Sequence, residues 1–420
     1  MAGSLAKNSL LTLIANVLLA SSNWLLLIII AKQFTEDSLG SFVLALSICS
    51  PAFLFASFKI RTLLVVDLNW RFTLAEYATA RVLANCFITI AILGLVLINV
   101  VTLSHMTVIV VLAYKWCDSW SEFCQSYMRR VHRFELSSGM LASRSIVTVL
   151  LVISGVLIFN SFTWILLLWL LAAICFAVLD TILLRRLALS YEISAFSVRS
   201  IMKLQSIRRA FFLYREYLTV AAALAISSLF VHLPNILIGH QLDIASAGIF
   251  ATISYFLVAG GILVNSVSQA STPRLASFLR EGKYDAFIKL VQKMCMLGIF
   301  IGGSGLLVAI FAGEYFLELF YTPEIAQYSD TLNWVMAAAA VRYVYIFLGT
   351  SLAAVQQFHI QTKIYGVGLL TMLCSGYLLI SANGLIGAAQ AMLAATLIEF
   401  TLFIWVIKPS LRSAFIQVKA

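Results

Sequence analysis

Five charged side chains interrupt the long apolar runs of this chain. Lys115, Asp118 and Glu122 fall in one run at spacings i, i+3 and i+7, so they share one face of a helix. Arg342 sits near the middle of another run, and Glu399 interrupts a third. Charges at bilayer depth are rare and face a cavity or a partner. Two readings follow. Lys115 and Asp118 neutralise each other and glue helices together; or Lys115 and Arg342 present cations to an anionic substrate while Asp118, Glu122 and Glu399 serve as proton carriers. A carboxylate suits that task because burial and a nearby cation move its proton affinity in opposite directions. Lys59 and Arg61, at the inner end of a run, either snorkel to the interface or join the substrate site. Asp180, near Arg185 and Arg186, reads as a boundary ion pair. Pro51 and Pro234 each remove a backbone hydrogen bond inside a run and are the candidate hinges.

No catalytic constellation emerges. His105, His132, His232, His240 and His359 are scattered, without a nucleophile–base arrangement or metal-ligand spacing. The seven cysteines sit in or beside apolar runs and form no C-x-x-C pair, so neither a metal site nor a disulfide is expected. No cofactor is implied. Gly260-Gly261 and Gly302-Gly303 with Gly305 read as close helix contacts rather than phosphate loops.

The elements that position these residues are membrane helices. Apolar residues make up 62% of the 420 and charged residues 11%, with a mean hydropathy of +1.00. Soluble domains do not have this composition. Apolar stretches of about 20 residues, enough to cross a hydrocarbon core, repeat along the chain. Twelve spans are predicted, at 9–31, 38–60, 80–102, 106–128, 140–159, 162–184, 216–239, 244–268, 290–312, 331–353, 361–380 and 384–407. Lys7 and the Ala20-Ser21-Ser22 triplet mimic a signal peptide, but the run continues to Ala31, which argues for a retained first span.

The net charge of +10 reports topology rather than nucleic-acid binding. If the N-terminus is cytoplasmic and the spans alternate, most basic residues fall inside. Arg71, Arg81, Arg129, Arg130, Arg133 and Arg144 precede a mid-chain cluster from Arg185 to Arg215, with Arg274, Arg280 and Lys283 beyond it. The longest outside loop, 313–330, carries Glu314, Glu318, Glu324 and Asp330 and no Lys or Arg. This is the positive-inside pattern, with both termini cytoplasmic and anionic inner-leaflet lipid as a neighbour.

The chain also matches itself. Residues 31–42, AKQFTEDSLGSF, recur as residues 239–250, GHQLDIASAGIF, with Gln33/Gln241, Ser38/Ser246, Gly40/Gly248 and Phe42/Phe250 in register. An offset near half the length predicts two six-helix halves, 1–184 and 216–420, joined by a basic cytoplasmic linker at 185–215. Paired halves of this kind build the substrate path of many secondary transporters. Ile201, Leu204, Ile207 and Phe211 fall near helical spacing among basic residues, which predicts an amphipathic helix on the inner membrane face; a solvated basic connector is the equal alternative.

Further residues carry a family resemblance. The first half has Asn16, Asn23-Trp24, Gly40-Ser41-Phe42, Pro51, Phe53, Phe58 and Arg61. The second has Pro234-Asn235, Ala247-Gly248-Ile249-Phe250, Pro273-Arg274-Leu275-Ala276 and Gly282, and the acidic loop reads Leu319-Phe320-Tyr321-Thr322-Pro323-Glu324. Spread over nearly the whole chain, these resemble the O-antigen and polysaccharide flippases of the multidrug/oligosaccharidyl-lipid/polysaccharide exporter superfamily. Leu39 stands where that family usually has an aromatic residue. The resemblance implies an all-α membrane protein whose two pseudo-symmetric six-helix bundles form a V-shaped central cavity. It also implies passage of an undecaprenyl-diphosphate-linked oligosaccharide across the bacterial inner membrane, driven by a coupling ion (H+ or Na+). A polysaccharide polymerase complex is a candidate partner, and Lys115 and Arg342 match the family's lumen cations. A drug/cation antiporter of the same superfamily would need a negative cavity, and a membrane glycan polymerase or ligase would need large outside segments; these are the alternatives.

The topology is directly testable. In intact cells an impermeant thiol reagent should label a cysteine placed at Thr322 and spare one placed at Ser197; the reverse pattern would overturn the map.

Overall fold

A computed structural model describes residues 2–66, 71–98, 104–190 and 203–419. Every regular element among them is helical, as hydrocarbon requires, because a spanning segment must satisfy its own backbone groups. The helices are α1 (Ala2–Gln33), α2 (Glu36–Ala56), α3 (Ile60–Val66), α4 (Leu74–Leu97), α5 (His105–Arg130), α6 (Phe134–Phe159), α7 (Phe162–Ser190), α8 (Leu204–Gln241), α9 (Ile244–Arg280), α10 (Tyr284–Phe320), α11 (Pro323–Ala326), α12 (Ser329–Ala354) and α13 (Phe358–Lys419). Among the described residues ten helices are long and apolar enough to cross a membrane. α13 counts once among them although Gly384, at φ 59° and ψ −132°, divides it. α5 is 26 residues long but too polar to be among the ten. With α5 added and α13 divided, the described residues hold about twelve spans, each at a predicted position. This is a multi-pass membrane protein.

The chain forms two compact units, one of residues 1–34 and 45–228, the other of 35–44 and 229–420. In the first, α5 packs against α3, α4, α6 and α7, and α1 against α6. In the second, α12 packs against α9, α10 and α13. The two central helices, α5 and α12, are the fourth spans of their respective halves, and they carry Lys115 and Arg342.

The internal repeat marks the same turn twice. α1 ends at Gln33 and α2 begins at Glu36; α8 ends at Gln241 and α9 begins at Ile244. The caps correspond. The Ser38 amide donates to Thr35 Oγ1 at 3.3 Å, and the Ser246 amide donates to Asp243 Oδ1 at 2.6 Å. Within the second unit the repeated glycines face each other. A Cβ on Gly40 would overlap the Ile244 carbonyl, and one on Gly248 would lie 2.7 Å from the Gly40 nitrogen. Glycine is therefore required where α2 meets α9, and this contact ties the start of α2 to the second unit. Gly302 similarly brings α10 onto Ala340 of α12, as the close-contact reading expected. A Cβ on Gly303 would meet nothing within 4 Å.

The described part of the linker is helical. Residues 201–202 lie outside the described residues, and from Leu204 the chain is already α8, continuous with the seventh span. The predicted apolar stripe is not the packed one. Leu204 is 81% exposed and Phe211 64%, whereas Ser206, Ala210 and Leu213 are buried. Ion pairs select that face. Arg209 Nε donates to Glu76 at 3.4 Å, Arg209 Nη2 donates to the Arg71 carbonyl at 3.1 Å, and Arg71 pairs with Glu216 at 2.6 Å. Glu76 also closes a capping box with Thr73 at the start of α4. Pro51 and Pro234 lie inside α2 and α8, which continue past them to Ala56 and Gln241.

Backbone overlap at the glycine pair gives a clear expectation. Gly40→Val or Gly248→Val should sharply reduce membrane-inserted protein in immunoblots, while Gly303→Ala should leave it unchanged. Equal levels of all three would show that α2 and α9 do not need this approach.

Candidate functional site

α5 has the polar composition of a cavity wall rather than a lipid-facing helix. A cavity of about 200 Å³ in the first unit is lined by Lys115, Asp118, Ser119, Glu122, Gln125 and Arg129 of α5, with Arg81 of α4, Arg144 of α6 and Arg61 of α3. Asn16, Ser50 and Ser57 add neutral polar groups. Five cations and two carboxylates share this space, so its wall is net positive.

The carboxylates have specific partners. Glu122 bridges two arginines, with Oε2 at 2.6 Å from Arg81 Nη2 and Oε1 at 3.3 Å from Arg61 Nη1. Arg81 is buried, and its Nε and Nη2 also donate to the Ser119 carbonyl at 3.1 and 3.0 Å. Asp118 pairs with Arg144 at 2.8 Å, not with Lys115 as the helix-glue reading required. A buried arginine fork outcompetes a flexible lysine for a carboxylate because its paired donors are pre-oriented. Arg144 also lies 5.3 Å from the centre of the Tyr114 ring, and Tyr114 is stacked on Trp169 at 3.5 Å. Arg129 turns back onto its own helix, donating to the Gln125 carbonyl at 3.3 Å.

Three cationic donors remain uncommitted. Arg81 Nη1 and Arg144 Nη2 are buried with no acceptor. Lys115 makes no ion pair within 4 Å among the described residues. A buried donor without an acceptor is costly. Two such donors and the half-buried Lys115 ammonium lie on one wall.

The second unit holds the other predicted residues. Arg342 Nη1 donates to the Tyr345 hydroxyl at 3.0 Å, and its guanidinium lies 4.8 Å from the centre of the Phe230 ring. Glu399 of the last span lies close to Tyr345 and Arg342 and is buried with Oε2 unpartnered. Arg342, Tyr345 and Glu399 thus form a cluster on α12 and the last span. Lys59 sits in the left-handed turn between α2 and α3, at φ 55°, and does not line the cavity of the first unit. Among the described residues no group of three or more His, Cys, Asp or Glu could hold a metal.

Of the predicted residues, the structure therefore gathers Lys115, Asp118, Glu122 and Arg61 on one wall, and Arg342 with Glu399 in the other unit. Sequence reasoning missed Arg81, Arg129 and Arg144 as site residues. Each had been assigned to the inner basic surface. The available signal was Arg81 within the small-residue run Ala75 to Ala84 and Arg144 four residues inside its predicted span.

No protein-family model matches the chain. It is 28% identical over 403 residues to a capsular polysaccharide biosynthesis protein, CapF, of Staphylococcus aureus, covering 95% of this chain and 98% of that protein. A mutant form of the Vibrio cholerae MATE transporter VcmN superposes with a TM-score of 0.67 at 14% identity, covering 99% of this chain and 98% of that one. The chain has the fold of the multidrug/oligosaccharidyl-lipid/polysaccharide exporter superfamily. A lipid II flippase, MurJ, in an inward closed conformation shares that fold, with a TM-score of 0.63 at 12% identity, covering 100% of this chain and 90% of that one. The resemblance read from the sequence holds at this level.

The fork geometry at Arg81 is testable by melting the purified protein. Arg81→Ala leaves Glu122 and the Ser119 carbonyl short of donors and should cost roughly 2 kcal/mol. Arg81→Lys should recover little, because an ammonium cannot reproduce the fork. A lysine variant that melts like wild type would show that charge alone suffices.

Proposed function

We propose that this protein carries an undecaprenyl-diphosphate-linked oligosaccharide, an O-antigen or similar surface-polysaccharide repeat unit, from the inner to the outer leaflet of a bacterial inner membrane. The observation that supports this most directly is the wall of uncommitted cationic donors, Lys115, Arg81 and Arg144, in one cavity of a transporter fold. A diphosphate offers many acceptor oxygens and at least two negative charges. Two unit charges 4 Å apart attract by about 1 kcal/mol in bulk water and by about 4 kcal/mol at an effective dielectric of 20, so a partly dry cavity favours this ligand. The same wall disfavours a cationic drug, which would meet five cations and only two carboxylates. The similarity to a capsular polysaccharide biosynthesis protein and to a lipid II flippase supports a lipid-linked glycan as the cargo.

Substrate contact is assigned to Lys115, Arg81 and Arg144 in the first unit, with Arg61 at the cavity edge, and to Arg342 in the second; Lys59 at the inner turn is the outlying candidate. Of the acids expected as proton carriers, Glu399 keeps that assignment in the second unit, while Asp118 and Glu122 are engaged by arginines; Pro51 and Pro234 are the hinges, and an ion gradient the driving force for alternating access. Both termini are assigned to the cytoplasm, and a polysaccharide polymerase complex is a candidate partner.

In a host lacking its own exporter, the wild-type protein should restore surface glycan. Lys115→Ala and Arg342→Ala should each abolish that restoration with normal amounts of protein in the membrane, and Arg342→Lys should keep part of it. Normal surface glycan in both alanine variants would remove the cations from the mechanism.

A further inference from the structure

We propose that Asp180, on α7, is the residue of the first unit that exchanges a proton with the cavity, acting through Gln125. The inference rests on the exporter reading, which supplies the anion and the need for ion coupling. The carboxylates of the cavity wall, Asp118 and Glu122, are each engaged by arginine at 3.3 Å or less, so protonating either one sacrifices an ion pair. Asp180 is different. It is fully buried, and among the described residues no cationic nitrogen lies within 4 Å of it.

One oxygen of Asp180, Oδ2, accepts from Gln125 Nε2 at 3.2 Å. The other, Oδ1, is buried without a partner, as is the neighbouring Ser121 hydroxyl. This is the pattern of a carboxyl group with room for a proton. A proton on Oδ1 gives it a hydrogen to donate, whereas a bare charge there has only the neutral Gln125 amide and Ser121 hydroxyl beside it and, among the described residues, no cation within 4 Å. Gln125 is also part of the cavity wall, so a rotation of one amide side chain connects Asp180 with the cavity.

The elements packed on α7 are α5 and α6. The titratable groups they turn toward Asp180 are Cys124 of α5 and Arg144 of α6; Tyr114 of α5 stacks farther along α7, on Trp169. Arg144 is the link to the substrate. It is close enough to act on Asp180 electrostatically, and it lines the cavity with Nη2 uncommitted. An anion on Arg144 offsets the positive potential at Asp180, so anion binding and protonation of Asp180 support each other. By linkage the effect is reciprocal. Ionised Asp180 repels the anion and competes for Arg144, so the anion should bind more weakly once Asp180 loses its proton.

The test compares wild type with Asp180→Asn, an isosteric stand-in for the protonated acid. Infrared difference spectra across a pH titration, recorded on purified, ligand-free protein carrying Glu399→Gln throughout so that the buried acid of the second unit is silent, should show a carboxylic-acid C=O band that disappears on the alkaline side. The band should be absent from Asp180→Asn and retained in Asp118→Asn. The second reading is the affinity for a short-chain prenyl diphosphate. Wild type and Asp180→Asn should bind it alike at acidic pH, and wild type should bind about fivefold or more weakly than the variant at alkaline pH. Gln125→Ala should retain the infrared band but slow its response to a pH jump. A titrating band that survives in Asp180→Asn, or matching affinities across the whole pH range, overturns the assignment. If the diphosphate fails to bind wild type at any pH, the anion-exporter reading fails, and the infrared band alone still decides whether Asp180 exchanges a proton.

Discussion

A charge that leaves water must find a partner or a ligand, and α5 carries three charges across the interior of its unit. The rest of the first unit is arranged around that constraint. Arg81 and Arg144 come from α4 and α6 to engage the two carboxylates of α5, and both arginines are nearly fully buried, at 2% exposure. Removing one partner from such a pair leaves the other uncompensated, which costs more than the pair is worth. The packing of α5 against α3, α4, α6 and α7 is therefore partly electrostatic. The apolar surface that would ordinarily hold a central helix is reduced here by its own polar face.

The two halves meet the same requirement differently. In the first unit the central helix carries an acid–base cluster open to a cavity. In the second, α12 carries a single arginine held between an aromatic face and a tyrosine close to a buried glutamate. Cation–π contact stabilises a guanidinium by about 0.5–2 kcal/mol, without the orientational demand of a salt bridge. The backbone scaffold is more alike than the chemistry. The repeated turn has corresponding caps, and Gly40 and Gly248 occupy corresponding places. The likeness lies in the turn and the difference in the polar side chains of the fourth spans.

This contrast also decides what was legible in the sequence. Twelve spans could be read because apolar length is a local property, and even the break at Gly384 falls where the run changes. The repeat was legible because Gly40 and Gly248 are irreplaceable where they touch. Lys115, Asp118 and Glu122 announced themselves by spacing, since three charges on one face of a membrane helix need a common polar environment. Arg81 and Arg144 did not, because an arginine near the end of a span looks the same whether it snorkels out to the headgroups or turns inward to a carboxylate. That choice depends on helices distant in sequence, Arg144 being 26 residues from Asp118 and Arg81 41 from Glu122. Asp180 was misread for the same reason: Arg185 and Arg186 are its neighbours in the chain, but Gln125 is its partner in space.

The ion pairs have a consequence for how such a wall releases its cargo. If every cation were free, a diphosphate would be held by several unscreened attractions and would leave slowly, which is poor design for a carrier. On the proposed reading, Asp118 and Glu122 would prevent this. Each supplies a competing anion one helical turn from Lys115 or from the other carboxylate, already bonded to the arginines that the substrate would use. The cargo then gains only the difference between its own contacts and those it displaces, and on departure the carboxylates re-form their pairs. If the cavity carries the proposed diphosphate, a wall that is net positive yet internally paired would hold it selectively at modest net affinity, the balance that translocation, as opposed to storage, requires.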